Sequence, residues 1–178
     1  AEKSLYGEVA LHLTDKATLT LGYRRSDVER EAGSFEFATG IFDSFSKTPL
    51  VGITGTEVQE DVNTYKAKLE YVVNDDLLLY GLASSGYRSG GFNASSLAAL
   101  SSSYESDTLW NYELGFKTSW LDNRLTANGA IYRVDWSDIQ LRTFDPVSLF
   151  GKIQNAGEAE SFGLETEIHY QATENLRL

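Results

Sequence analysis

Residues 108–141, TLWNYELGFKTSWLDNRLTANGAIYRVDWSDIQL, decide the fold. Apolar side chains recur at every second position, with one break at Thr118: Trp110, Tyr112, Leu114, Phe116 and Trp120. The intervening positions are polar or small: Asn111, Glu113, Gly115, Lys117 and Ser119. A period of two predicts a strand with one apolar and one polar face. A tight turn at 121–124 and a second alternating run from Leu125 complete an antiparallel hairpin.

The two tryptophans of this strand indicate what its apolar face meets. Trp110 and Trp120 lie on one face, ten residues apart, which corresponds to roughly 34 Å along a strand. A tilt of about 45° reduces this to roughly 24 Å of height, close to the ~25 Å apolar band between the aromatic girdles of an outer-membrane barrel. An indole suits such an edge because its ring is apolar and its N–H needs a polar partner. The spacing favours a membrane barrel over a soluble sandwich, whose strands are rarely this long.

Further alternating runs extend this pattern through the chain. They cover residues 5–13, 17–26, 62–73, 153–170 and 176–178. Residues 77–88 are predicted as a further strand whose faces are hard to separate, because Leu78, Tyr80 and Leu82 compete with Leu77, Leu79 and Ala83. Short turns near Asp15, Asp75, Asp122 and Glu174 alternate with longer connections at 27–61, 89–107 and 143–152. The sequence therefore predicts an all-β fold, an antiparallel transmembrane β-barrel segment of about eight strands with short periplasmic turns and long extracellular loops.

Composition narrows the function. The chain has 178 residues, a net charge of −11 and no cysteine, and its length is that of one domain. No apolar run approaches 18 residues, so no transmembrane helix is expected. The acidic balance argues against a nucleic-acid partner. No nucleophile elbow occurs, and His12 and His169 lack metal-ligand spacing, so we predict neither an enzyme nor a cofactor.

Three strings resemble the barrel of TonB-dependent outer-membrane receptors. They are LLLYGLASSGYRSGGFN at 77–93, NYELGFKTSWLDNRLTANGAIYRVDWSDIQL at 111–141 and NAGEAESFGLETEI at 155–168. The family has a 22-stranded barrel, an N-terminal plug domain inside it and a TonB box before the plug. The 178 residues have room for about eight strands and show neither plug nor TonB box. The resemblance therefore implies that residues 1–178 are a fragment of the barrel domain.

The resemblance also implies a function and a set of partners. The chain would be part of an active transporter in the outer membrane of a Gram-negative bacterium, energised through TonB. The commonest cargo of the family is a ferric siderophore; cobalamin, haem and oligosaccharides are others. The expected partners are outer-membrane lipid and lipopolysaccharide, the receptor's own plug domain, TonB and the transported ligand.

Two glutamates are candidate contacts to the plug. In the resembled family, carboxylates at the YELG and GLE positions point into the lumen and pair with plug arginines, which implies this role for Glu113 and Glu165. A shielded carboxylate favours a bidentate arginine partner. Two strand spacings would separate them by roughly 10 Å if they lie at similar heights. The alternative is that both are ordinary solvated lumen charges.

Ligand contacts are expected on the long connections. Arg88, Phe92 and Asn93, where the 89–107 connection begins, are the candidate ligand-facing residues. Arginines near the outer strand ends could meet an anionic chelate or a lipopolysaccharide phosphate: Arg24, Arg25, Arg88 and Arg142. Phenylalanines of the 27–61 segment either stack on a ligand or fold the segment onto itself: Phe35, Phe37, Phe42 and Phe45.

Two alternatives come from other functional classes. One is a complete eight-stranded outer-membrane barrel with a structural or adhesion role. The other is a soluble secreted β-sandwich that serves as a binding module.

Overall fold

Eight strands form one antiparallel sheet in the computed structural model of the protein, which describes residues 1–32, 56–93, 103–145 and 150–178. The strands are β1 (Glu2–His12), β2 (Ala17–Ala32), β3 (Thr56–Asn74), β4 (Leu77–Arg88), β5 (Gly91–Phe92), β6 (Ser103–Tyr104), β7 (Asp107–Trp120), β8 (Leu125–Ser137), β9 (Gln140–Asp145), β10 (Phe150–Asn155), β11 (Glu158–Thr173) and β12 (Leu176–Arg177). The order in the sheet is β1-β2-β3-β4-β7-β8-β11-β12, and β5–β6 and β9–β10 form two small ribbons. The all-β prediction of about eight strands is confirmed.

One predicted strand is in fact two. The run at 153–170 is divided between β10, which ends at Asn155, and β11, which begins at Glu158. Gly157 lies between them with φ +72°, a left-handed conformation that glycine adopts without a steric penalty. The chain changes direction there, and β10 pairs with β9 instead of continuing into the wall.

The predicted 27–61 connection is partly strand. β2 continues to Ala32 and β3 begins at Thr56, and the two pair over the whole of that extension. Charged residues occur there at both odd and even positions, so the segment lacks the alternation of apolar and polar residues that marks the rest of the hairpin. The phenylalanines assigned to this segment lie outside the described residues.

The two faces of the sheet differ as the alternation predicts. Leu114, Ile131 and Leu164 are register partners on β7, β8 and β11, and they are 63%, 45% and 70% exposed. Trp110 and Trp120 share this apolar face. The opposite face, called here the polar face, carries charged and small residues such as those of alternate parity on β7. An apolar sheet face open along several strands is the surface that a barrel presents to lipid.

Aromatic rings cross several strands on the apolar face. Tyr23 on β2 packs against Tyr65 on β3 with ring centroids 5.6 Å apart. Tyr65 stacks on Trp110 at 6.3 Å across the intervening strand β4, and Trp110 stacks on Tyr112 at 6.0 Å. Trp110 and Tyr112 lie in the half of β7 that is nearer the long connections.

The short turns need unusual backbone only between β7 and β8. Leu121, Asp122 and Asn123 have φ of 58°, 56° and 65°. The Arg124 N–H donates to the Leu121 carbonyl at 3.1 Å, which closes the turn.

The buried hydrophobic side chains lie at the long-connection end rather than between two sheets. Val28, Val62 and Ile139 are 3%, 7% and 9% exposed, and the Asp107 residue is 1% exposed. Among the described residues no second large sheet covers the first, so the β-sandwich alternative is wrong. In the same parts of the chain, no helix has the length and apolar character needed to cross a membrane.

Candidate functional site: the polar face and the loop base

Both predicted plug contacts line one depression on the polar face. This depression of about 770 Å³ is formed by β4, β7, β8 and β11. Glu113 is opposite Tyr132, and Tyr132 is opposite Gly163, so Glu165 lies two residues farther along β11. Two strand spacings and a two-residue offset place the two Cα atoms roughly 12 Å apart. The offset in register is two residues, and the two side chains share one depression.

Tyr80 fixes the orientation of Glu113. Its hydroxyl donates to Glu113 Oε1, and its ring covers Gly115, where an added Cβ would lie 2.6 Å from the ring. The Nζ atoms of Lys68 and Lys117 lie 5.7 and 5.9 Å from the ring centroid. Glycine at position 115 therefore makes room for the ring that holds the carboxylate.

Glu165 is available for a partner. It is exposed, and it makes no hydrogen bond or ion pair with another described residue. On the same strand, Glu167 is already engaged, because His169 Nε2 lies 2.9 Å from Glu167 Oε1. The depression thus has an excess of carboxylates over described cations.

A second cluster lies at the long-connection end and is called here the loop base: Glu60, Arg88, Glu105, Asp107, Gln140 and Asn155. At its centre the buried Asp107 carboxylate accepts from Arg88 Nε at 3.1 Å and from the Gln140 backbone N–H at 3.1 Å. The Arg88 guanidinium also lies 5.4 Å from the centroid of the Trp136 ring. A carboxylate this deeply buried is stable only when it is paired and hydrogen-bonded.

Two side-chain amides tie the ribbons to the loop base. Gln140 Nε2 donates to the carbonyls of Arg88, Ser89 and Glu105 at 3.1, 3.0 and 3.0 Å. Asn155 accepts from the Glu105 N–H at 2.8 Å and returns a bond to the Glu105 carbonyl at 3.0 Å. The β5–β6 and β9–β10 ribbons belong to different sheets. Side-chain hydrogen bonds therefore hold together the connections that follow β4 and β8.

Glu60 joins the β2–β3 hairpin to the same cluster. Its carboxylate accepts from the Gly90 N–H at 3.1 Å and from the Ser106 N–H at 3.0 Å. A Cβ at Gly90 would lie 2.4 Å from the Tyr104 carbonyl oxygen and 2.5 Å from Glu60 Oε1. Sequence reasoning missed Asp107, Gln140, Asn155 and Glu60 as a group, because their partners are distant in sequence. The double glycine at 90–91 was the one local signal of close backbone approach.

The structure places the three predicted ligand-facing residues at or beside the loop base. The Arg88 side chain is 50% exposed beside a buried partner. Phe92 is half-buried in the β5–β6 ribbon. Asn93 is 7% exposed and exchanges hydrogen bonds with the Ile153 backbone at 2.7 and 2.6 Å. Contact with a ligand stays a prediction for all three, and Asn93 also has a structural role.

The described residues contain no group of three or more acidic, histidine or cysteine side chains that could hold a metal ion. The polar face presents the exposed Glu165 carboxylate, and the loop base positions the connections.

Solved structures with the same fold come from outer-membrane receptors and transporters. The ferric yersiniabactin uptake receptor FyuA from Yersinia pestis is 23% identical with a TM-score of 0.74, over 97% of this chain and 24% of that one. The copper transporter OprC is 15% identical with a TM-score of 0.72, over 99% and 27%. The ferripyoverdine receptor of Pseudomonas aeruginosa is 19% identical with a TM-score of 0.65, over 97% and 21%.

The chain spans about a quarter of the length of these structures, and at these identities the likeness shows the fold. The sequence model of the family described as TonB dependent receptor-like, beta-barrel matches residues 1–178. That family consists of transporters in the outer membrane of Gram-negative bacteria and not of enzymes. The protein therefore belongs to the β-barrel family of TonB-dependent receptors.

Proposed function

We propose that residues 1–178 form part of the barrel domain of an active transporter that takes up a ferric siderophore with energy supplied through TonB. Family membership supports transport. The similar structures described above include receptors for ferric yersiniabactin and ferripyoverdine, which favours an iron chelate as the cargo. Copper is the second candidate, because OprC is a copper transporter with a TM-score of 0.72 to this chain.

The open order of the sheet supports a segment of a larger wall over a complete small barrel. β1 and β12 lie at opposite edges of the sheet and do not pair with each other. The apolar face would meet membrane lipid, including lipopolysaccharide in the outer leaflet, and the polar face would line the lumen.

Within this transporter, Glu113 and Glu165 hold the plug. The observation that carries this proposal is that both carboxylates line one depression, where Tyr80 orients Glu113 and Glu165 has no described partner. Plug arginines can fill these positions with charge-assisted, bidentate hydrogen bonds. Shielding between plug and wall makes such a pair stronger than an exposed one, which contributes at most about 1 kcal/mol.

Uptake by the full receptor tests the cargo. Cells that carry it are given a ⁵⁵Fe-labelled tris-catecholate, a tris-hydroxamate or citrate complex, or ⁶⁴Cu²⁺, with and without a functional TonB. We expect at least one ferric chelate to accumulate only when TonB is functional. If only copper accumulates, copper replaces the ferric chelate as the proposed cargo. Uptake that is equal with and without a functional TonB would overturn both proposals.

Ion conductance of the full receptor in planar bilayers tests the plug contact. The Glu113→Ala plus Glu165→Ala variant is expected to raise the mean conductance at least tenfold while ligand binding at the outer loops is retained. The matched control removes Glu8 and Glu70, which lie on the same face but already have lysine partners at 2.8 and 2.6 Å. Conductance equal to the wild type, or an equal rise in the control, would show that Glu113 and Glu165 are ordinary lumen charges.

A further inference from the structure

The outer end of the β2–β3 hairpin is paired with the rest of the sheet on one side only. β2 and β3 pair with each other to the end of β2 and the start of β3, and β1 borders β2 as far as Val28. On the other side, the ladder between β3 and β4 ends at Lys66 and Ser84. Residues 24–32 and 56–64, called here the outer arm, therefore have no strand ladder to β4 within the described chain.

One carboxylate on the outer arm bridges the gap that the missing ladder leaves. Glu60 accepts from the Gly90 N–H through Oε2 at 3.1 Å and from the Ser106 N–H through Oε1 at 3.0 Å. Gly90 follows β4 and Ser106 precedes β7, so Glu60 binds both ends of the connection between these strands. Hydrogen bonds to an ionised acceptor are roughly twice as strong as neutral ones. A single side chain therefore attaches the arm to this connection.

The face of the arm that carries Glu60 is covered. Val28 is the register partner of Glu60, and Val62 lies two residues farther along β3, so all three side chains share one face. The valines are 3% and 7% exposed, and Glu60 is half-buried. Because Glu60 binds the ends of the β4–β7 connection, that connection lies against this face. The attached position of the arm thus keeps apolar side chains out of water.

The β4–β7 connection is in turn bound to the connection that follows β8. Glu105, the neighbour of Ser106, accepts from Gln140 Nε2 at 3.0 Å through its carbonyl, and its N–H donates to Asn155 Oδ1 at 2.8 Å. The outer arm, the β4–β7 connection and the β9–β10 ribbon are therefore joined in series by side-chain hydrogen bonds. A movement of the middle connection is transmitted to the arm through Glu60.

We propose that the outer arm is a hinged strap, which the Glu60 carboxylate latches to the connection after β4. The hinge lies at the pair Lys66 and Ser84, below which ladders on both sides hold β3 in the sheet. A segment opens locally at the lowest cost where few contacts hold it, and here two hydrogen bonds of one side chain replace a ladder. Release of the latch moves the arm away from the connection and exposes Val28 and Val62.

Cysteine accessibility in the full receptor tests the strap. Val62→Cys places a thiol on the covered face of the arm, in a chain without other cysteines in residues 1–178. The rate of its modification by a membrane-impermeant maleimide on intact cells reports how often the arm opens. Adding Glu60→Gln keeps the size of the side chain but replaces one acceptor oxygen by an N–H donor. We expect this change to accelerate modification by about tenfold or more.

The matched control is Glu31→Gln in the same Val62→Cys background. Glu31 lies on the outer arm, is exposed and belongs to the opposite face, so its replacement is expected to leave the modification rate unchanged. Val28→Cys is the second reporter on the covered face and is expected to respond to Glu60→Gln in the same way. Hydrogen exchange in β7 and β8, which lie outside the arm, is expected to match the wild type in every variant.

An unchanged modification rate at both reporters in the Glu60→Gln receptor would overturn the strap. An equal acceleration in the Glu31→Gln control would overturn it as well, because the effect would then follow from any loss of charge on the arm. Faster modification that is accompanied by faster exchange in β7 and β8 would show that the whole sheet has loosened, which contradicts a hinge at the last β3–β4 pair.

Discussion

Replacement of Asp107 by alanine tests the loop base. The change leaves the half-buried Gln140 N–H without its acceptor at 3.1 Å, a loss of about 1–3 kcal/mol. It also removes the charge partner of Arg88, but that side chain is 50% exposed, so water offsets most of this loss and leaves at most about 1 kcal/mol. A tenfold change in an equilibrium constant corresponds to about 1.4 kcal/mol. A total loss near 3 kcal/mol therefore makes the opening of the loop base roughly 100-fold more frequent.

Hydrogen exchange of the full receptor, followed by mass spectrometry, measures this opening directly. We expect exchange to accelerate on the order of 100-fold in peptides that cover β6 and β9, with β1 unchanged. Asp135→Ala is the matched control, because Asp135 pairs with an arginine at 2.8 Å but its side chain is 39% exposed. An Asp107→Ala protein that exchanges like the wild type, or like the Asp135 control, would refute the reasoning that burial makes this carboxylate structural.

Two glycines give further predictions with one shared control. Gly115→Ala places a Cβ 2.6 Å from the Tyr80 ring, so we expect the ring to move and the thermal transition of the receptor to fall, by the ~1–3 kcal/mol of an overpacked site. Gly90→Ala places a Cβ 2.4 Å from the Tyr104 backbone oxygen. Because backbone moves less readily than a side chain, we expect faster amide hydrogen exchange in the β5–β6 ribbon. Gly7→Ala, with nothing within 4 Å of its Cβ, should change neither measurement, and an equal effect there would remove the steric explanation.

The alternation of apolar and polar side chains predicted the strands of the eight-stranded sheet, because one face of each strand is apolar and the other polar. It failed where that asymmetry is absent. In β4, leucines occur at both parities, and the structure assigns Tyr80 to the polar face and Gly81 to the apolar face. Beyond residues 26 and 62, charges occur on both faces, so the pattern predicts a connection where β2 and β3 in fact continue to pair.

The candidate sites differ in the same way. The shared face of Glu113 and Glu165 could be predicted because each lies within a local motif on a regular strand, and their contact with the plug stays a prediction. Asp107 and Glu60 could not, since a carboxylate in the sequence shows neither its burial nor the distant N–H groups that satisfy it. The loop base depends on contacts between residues 19 to 52 positions apart in sequence. The local alternation of side chains carries no information about such distant contacts.

Lipid on the apolar face and the lumen on the polar face together define the orientation of the wall, and a nitroxide scan reports on this orientation residue by residue. The 178 residues contain no cysteine, so single labels at positions 110–120 of the full receptor in lipid vesicles report on one residue each. The account predicts collisions with oxygen, which partitions into lipid, at Leu114 and its parity, and low oxygen access at Glu113 and its parity. Equal oxygen access at both parities, or oxygen access confined to the parity of Glu113, would contradict the assignment of the apolar face to lipid and the polar face to the lumen.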